Sequence, residues 1–153
     1  WITTAAGEIT TPLNPAFMSK TSGDTFNQTG DGTSVTDMHN DSEVFDRGAN
    51  YVLTTCIYTA PVTGLHAFSA SVYCVGHASG HRMYTYFIPS NGTIFLDYFN
   101  SYDYNTTGSI TYSGAADSIE MDAADTCYFS WNVAGGSKTI DYSNGHFSGH
   151  LSG

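Results

Sequence analysis

The side chains best placed to do chemistry fall into three groups: histidines, a cluster of acids and a run of tyrosines. His77 and His81 lie in Gly76-His77-Ala78-Ser79-Gly80-His81, a spacing that on a helix sets two imidazoles on one zinc ion. The two glycines and the lack of helix signals remove that geometry, so an exposed loop carrying two histidines is expected. The alternative is a transition metal held between subunits by one histidine from each. His146 and His150 flank Phe147-Ser148-Gly149 and read as sheet positions rather than ligands. Serine, histidine and aspartate are all present, but no Gly-x-Ser-x-Gly elbow stands between a strand and a helix. No Gly-rich loop opens a helix to cradle phosphate either. The chain is therefore read as non-enzymatic.

The acids Asp37, Asp41, Glu43 and Asp46 fall close together, interleaved with Asn40 and Ser42. Calcium takes about six to eight oxygen ligands from loops of this composition. Calcium at Asp41, Glu43 and Asp46 is the candidate cofactor, against the plainer reading of a solvated acidic loop; the spacing is not that of an EF-hand. The run Tyr98-Phe99-Asn100-Ser101-Tyr102-Asp103-Tyr104-Asn105 is the candidate binding surface. Tyrosine gives rigid contact area while Asn, Asp and Ser give adaptable hydrogen bonds, the chemistry of recognition loops and of sugar binding. Tyr98, Tyr102, Asp103, Tyr104 and Asn105 are assigned to it; the alternative makes Tyr98 and Phe99 strand core and the rest a turn. Asn27, Asn40, Asn91 and Asn105 each begin an Asn-x-Ser/Thr sequon, which carries sugar only in a eukaryotic secretory route.

The elements that must position these groups are strands. Hydrophobic residues make up 41 % of the 153, enough for one core, and aromatics 14 %, which fits pleated, half-buried surfaces. Lys20, Arg47, Arg82 and Lys138 are the only fixed cations against a net charge of −10. Nucleic acid is excluded on that ground, because phosphate contacts need clustered Lys and Arg. No run is long enough to insert in a membrane as a helix, and no signal peptide is visible. Cys56, Cys74 and Cys127 are too few and too scattered for a disulfide framework. Cys56 and Cys127 lie in apolar strand patterns and read as buried thiols, with one disulfide left open.

Residues 1–14 read as an arm or connector, and 15–153 as one domain. Pro15 to Met18 opens it, and Ser19 to Ser42 is a polar excursion with one short strand near Val35. Leu65 to Val75 alternates, setting His66, Phe68, Ala70, Val72 and Cys74 on one face. Arg82 to Ile88 sets Tyr84, Tyr86 and Ile88 on one side and Met83, Thr85 and Phe87 on the other. Asn91-Gly92 then marks a hairpin into Thr93 to Phe99. Ser109 to Tyr112 and Ser118 to Met121 read as two short strands around a Gly-Ala turn. Cys127 to Val133 alternates clearly, and His146 to Leu151 closes the domain. Roughly eight to ten short strands make an all-β sandwich or jelly roll.

Three segments carry a resemblance to a known family. Tyr58-Thr59-Ala60-Pro61-Val62-Thr63-Gly64-Leu65-His66-Ala67-Phe68-Ser69 resembles the hairpin entering the central strand of the complement C1q globular head. Phe147-Ser148-Gly149-His150-Leu151 is similar to that family's closing strand, and Met121 to Thr126 stands where it places a Gly-Asp turn. His66 replaces the usual Tyr, and Ala124 the usual Gly. The resemblance spans about residues 15–153 and is greatest to microbial and phage members of the C1q/tumour-necrosis-factor type. It implies a two-sheet jelly roll of roughly ten strands packed as a homotrimer, with one sheet facing the threefold axis. A phage tail-fibre tip binding a cell-surface glycan or protein, on an extracellular or virion surface, is the leading setting it implies. A structural subunit contacting neighbouring virion or filament subunits is the alternative, and a secreted ligand a third.

Overall fold

The computed structural model describes residues 2–3, 9–10, 14–21, 26–29, 34–35, 41–77, 80–100, 108–135 and 139–152. In chain order the strands are β1 (Ile2–Thr3), β2 (Ile9–Thr10), β3 (Ala16–Lys20), β4 (Phe26–Thr29), β5 (Ser34–Val35), β6 (Ser42–Arg47) and β7 (Tyr51–Val52). There follow β8 (Ile57–Thr59), β9 (Gly64–His77), β10 (Arg82–Pro89), β11 (Ile94–Asn100), β12 (Gly108–Met121), β13 (Thr126–Ala134) and β14 (Thr139–Leu151). β1 and β2 pair with each other.

The rest form two antiparallel sheets. One runs β11-β10-β13-β8-β7 and the other β12-β9-β14-β3-β6. β5 pairs with β13 at Trp131 and Asn132, beyond the point where β8 pairs at Thr126 and Cys127. β4 extends β3 in the same way along β14. Each sheet therefore has five lanes, one of which is shared by two separate chain segments. That is how the fourteen segments amount to the roughly ten strands expected.

The core lies between the sheets. His66, Phe68, Ala70, Val72 and Cys74 of β9 are buried, while Ser69, Ser71 and Tyr73 are only partly covered. Phe17 from β3 stacks on Tyr51 at 4.5 Å and on Tyr58 at 5.0 Å, and meets Phe147 edge-on at 4.9 Å. Phe68 joins the group against Tyr58 and Phe147, and Phe87 closes it from β10. Offset and edge-on pairs of this kind add about 0.5–1.5 kcal/mol each beyond the area they bury.

Three local expectations need correction. The Gly-Ala turn does not form: β12 is continuous from Gly108 to Met121, with Gly114 opposite Ala70 and Ala115 opposite Ser69. β9 offers an unbroken ladder, so pairing overrides the local turn signal, and a register shift after Ala116 absorbs the extra residues. β14 begins at Thr139 rather than His146, with a shift between Ser143 and His146. Cys56 is not in a strand. It ends the turn before β8 with φ of 56°, though it is buried as expected. The β10–β11 hairpin forms as expected, its turn closed by Gly92 N–H donating to Pro89 O at 3.1 Å, with neither Asn91 nor Gly92 at positive φ.

All three cysteines are free and buried. Burial pushes the Cys127 thiol up to about 12 and raises that of Cys74 as well. Both stay protonated and inert at neutral pH.

The turn between β12 and β13 is tied to the one between β8 and β9. Ala60 N–H donates to Asp125 O at 2.7 Å and Ala124 N–H to Ala60 O at 2.8 Å. Within the turn Asp122 N–H donates to Asp125 Oδ2, and Ser90 Oγ to Asp125 Oδ1. Ala124 takes φ of 75°, the left-handed conformation that glycine adopts without penalty. Replacing Ala124 with Gly removes a strain of about 1–2 kcal/mol and returns some of it as chain entropy. Ala124→Gly is therefore expected to raise the melting temperature by a few degrees. A lowered value would show that the alanine methyl packs usefully.

Candidate functional site

The two sheets each present one outward face. On β12-β9-β14-β3-β6, register fixes which residues share it. His146, Ser148 and His150 stand opposite Ser71, Ser69 and Ala67 on one side and opposite Lys20, Met18 and Ala16 on the other. Phe45 and Arg47 of β6 continue the Met18 and Ala16 rows. The centre of this face combines small residues with Met18 and the two histidines and carries no acid among the described residues. Glu120, opposite Leu65, and Asp141, opposite Val75, lie at its ends. Leu65 and Phe45 are apolar and exposed at 40 % and 43 %. Ser71 Oγ and His146 Nδ1 are hydrogen-bonded at 2.6 Å, and burial lowers the basicity of this histidine. The pair sits on an extended sheet surface and locks one strand to the next. His146 and His150 are sheet positions, as expected.

His66 points the other way, into the core between Tyr58 and Phe68. Val62 O can only accept, so Nε2 carries the proton at 3.2 Å and Nδ1 accepts from Tyr58 O–H at 3.3 Å. Burial, and the nearby Asp46 and Cys127, push the Tyr58 phenol up to about 12, which keeps that donor protonated. Desolvation lowers the His66 pKa below its ordinary value of 6.5. The unfolded chain thus takes up protons before the folded one at both His66 and His146. Stability is expected to be flat above about pH 6.5 and to fall below it, by at most about 1.4 kcal/mol per pH unit for each histidine. A melting series across that range, on the wild type and on His66→Tyr, checks this. An unchanged acid slope in His66→Tyr would remove His66 as a cause. Asp125, held below the usual carboxylate range by the Asp122 N–H and the Ser90 hydroxyl, acts only at lower pH. Its contribution is present above the ordinary carboxylate pKa and lost as pH falls through the depressed one.

His81 departs from expectation: it is buried, not part of an exposed loop. The candidate calcium residues are placed as follows. Asp41 is exposed just before β6, and Glu43 is exposed opposite Ser19. Asp46 already accepts from Asn50 N–H at 3.2 Å and Tyr51 N–H at 3.0 Å, capping the turn that leads to β7. Among the described residues no group of three or more His, Cys, Asp or Glu side chains is gathered so that it could hold a metal. Asp37 lies outside the described residues. So do Tyr102, Asp103, Tyr104 and Asn105 of the candidate binding run. Tyr98 is on β11 opposite Tyr84 of β10.

The second sheet presents an outward face that sequence reasoning did not single out. Tyr84, Tyr86 and Ile88 of β10 lie opposite Asn132, Ser130 and Tyr128 of β13. Ser34 of β5 lies opposite Asn132. A groove of about 270 Å³ runs over these strands, floored by Tyr86, Ile88 and Tyr128 and edged by Ser34, Thr93 and Asn132. The alternation of β10 and β13 was visible in the sequence. Their juxtaposition, with β5 added, needed the topology.

The arrangement of ten lanes in two facing sheets is that of a jelly-roll sandwich. No family profile matches this sequence, and no curated protein does. Solved structures do match. The globular domain of zebrafish complement 1qA is 16 % identical with a TM-score of 0.58, over 90 % of this chain and 96 % of that one. The Eiger TNF of S. frugiperda is 12 % identical with a TM-score of 0.56, over 92 % of each. The PRD1 vertex protein P5 is 11 % identical with a TM-score of 0.54, over 92 % and 98 %. The roll is of the C1q/tumour-necrosis-factor type, as the sequence motifs implied. Among the described residues no helix is long and apolar enough to cross a membrane.

Proposed function

We propose that this chain is a non-enzymatic trimeric binding head displayed outside a cell or on a virion surface. The sheet β12-β9-β14-β3-β6 turns to the threefold axis. The observation that carries this reading is the character of that sheet's outward face. In a chain of net charge −10, its centre sets the small residues Ala16, Ala67, Ser69, Ser71 and Ser148 beside Met18, His146 and His150, with no acid among the described residues. Two of the four cations, Lys20 and Arg47, stand along its β3–β6 side. Three strongly acidic copies can approach only through a surface from which their charge has been withdrawn. Small residues there let the sheets come close, and Leu65 and Phe45 supply apolar area at the margins.

Sizing and native mass spectrometry test the assembly directly, with a trimer expected. Ser69→Glu would set three carboxylates about the axis and is expected to give folded monomers with an unchanged far-UV spectrum. A wild-type monomer, or a Ser69→Glu trimer, would overturn the reading. The binding role includes the run Tyr98, Tyr102, Asp103, Tyr104 and Asn105, with a cell-surface glycan or protein as partner and a tail-fibre tip as the setting. Loss of host-cell adsorption in Tyr102→Ala/Tyr104→Ala tests that part. The likeness to the PRD1 vertex protein favours a second reading, a structural virion subunit whose surface serves assembly alone. Calcium at Asp41, Glu43 and Asp46 remains a proposal, supported by composition; a chelator titration that leaves the melting temperature unmoved would retire it.

A further inference from the structure

We infer that the groove over β10 and β13 binds an uncharged carbohydrate. This rests on the binding-head reading above: with the other sheet at the axis, the β11-β10-β13-β8-β7 sheet forms the trimer's outer flank, open to ligand.

The argument begins with what lines the groove. Tyr86, Ile88 and Tyr128 are half-buried, so their positions are set by the sheet before a ligand arrives. Ile88 and Tyr128 are direct cross-strand partners, and Tyr86 sits two residues along β10 from Ile88. At that diagonal offset aromatic side chains still reach one another across the pleat. The floor is therefore a short aromatic and aliphatic strip, matched to the apolar face of a pyranose ring. Above it stand two hydroxyls and an amide. Asn132 and Ser34 are brought together by the β5–β13 pairing, and Thr93 is supplied from the far side by the start of β11. An amide offers two donors and an acceptor, and a hydroxyl offers both roles, which suits the mixed donor-acceptor rim of a sugar.

Size and charge narrow the class further. At about 270 Å³ the groove lies just below the ~300–1,000 Å³ of pockets that enclose drug-sized ligands. It accommodates a ring or two lying on a surface, not an engulfed cofactor. Among the described residues no Asp, Glu, Lys, Arg or His lines it. Anionic sugars, phosphates and nucleic acids find no cation there and meet the field of a chain at −10. Tyr98 of the candidate binding run stands at the register position opposite Tyr84, on the neighbouring lane of the same sheet, so a glycan leaving the groove toward β11 runs in its direction.

The test uses the whole chain at a concentration where sizing defines its oligomer. It is probed on an array of neutral hexose and N-acetylhexosamine oligosaccharides, with sialylated counterparts alongside. Binding to neutral members is expected. Tyr128→Ala should weaken it at least tenfold, and Tyr128→Phe should keep it, since the ring face rather than the hydroxyl does the stacking. Thr93→Lys, at an exposed rim position that leaves the core untouched, should block the groove without affecting the fold. Binding unchanged in both Tyr128→Ala and Thr93→Lys, binding confined to sialylated sugars, or a wild type that binds no neutral sugar would each overturn the site. A monomer that still binds through Tyr128 would overturn the assembly reading and leave the groove standing; a trimer that binds no sugar would do the reverse.

Discussion

Phe17→Ala is expected to cost about 3–5 kcal/mol of stability, the usual loss on truncating a buried phenylalanine to alanine. Phe17 is 1 % exposed and touches aromatic rings from four other elements. Tyr51 lies at 4.5 Å, Tyr58 at 5.0 Å, Phe68 at 6.5 Å and Phe147 at 4.9 Å. The cavity cannot close by collapse, because those rings also brace one another. Tyr51 meets Phe147 at 6.0 Å and Tyr58 meets Phe68 at 5.5 Å. For a domain of this size each kcal/mol moves the melting temperature by roughly 2–4 °C, so a fall of about 6–20 °C follows. It should be read at fixed protomer concentration, since an assembling protein's melting point shifts with mass action. A loss below about 1 kcal/mol would mean that β3 is not part of the cooperative core.

Gly149→Ala is the second large effect, and it comes from one added methyl. Gly149 lies on β14 opposite Phe68 on one side and Phe17 on the other. Both rings lean into the space a side chain would occupy. A Cβ there would stand 2.5 Å from Phe68 Cδ1, 2.7 Å from Phe68 Cε1 and 2.8 Å from Phe17 Cε1. Neither ring can swing aside without disturbing the stack, so the backbone of the central strand must shift instead. Overpacking costs about 1–3 kcal/mol when a core can yield, and this site is expected at or above the upper end. Gly92→Ala is the internal control, because nothing lies within 4 Å of a Cβ at that turn. Urea midpoints for the two variants should separate clearly. Equal midpoints would show that the ring cluster is softer than its packing implies.

The glycine also explains why part of the fold was readable from sequence. Phe-Ser-Gly-x-Leu is a strand motif because the two flanking lanes each place an aromatic ring over the glycine. β9 was legible for a related reason: its inward residues are apolar and its outward ones small and polar, so alternation alone assigns the faces. β10 was not, since Tyr84, Tyr86 and Ile88 are as apolar as Met83, Thr85 and Phe87. Only the buried ends of the latter set, seen in three dimensions, decide which side is core. The groove was hidden because Ser34 and Asn132 are far apart in sequence and meet only through the two-residue pairing of β5. His81 misled because a polar residue at the end of a glycine-bearing loop reads as exposed, whereas it is buried. The small residues of the proposed assembly face were visible on β9, where they fit close packing and solvent exposure alike, but their distance from the chain's acids appeared only when β14 and β3 were laid beside them.

The lane order carries a consequence for how the molecule is made. β14 lies between β9 and β3, and β3 was synthesised more than a hundred residues earlier, His146 pairing back to Lys20. Until Leu151 emerges from the ribosome, the edges of β9 and β3 that will face β14 are unmet, and the Phe17 ring has no Phe147 to lie against. Nascent chains of intermediate length must therefore carry two open, adhesive strand edges, one on β9 and one on β3, until β14 is made. Arrest of translation just short of Phe147 should leave a chain that captures chaperones and is readily cut by protease, and release of a chain carrying β14 through Leu151 should convert it in one step to a resistant body.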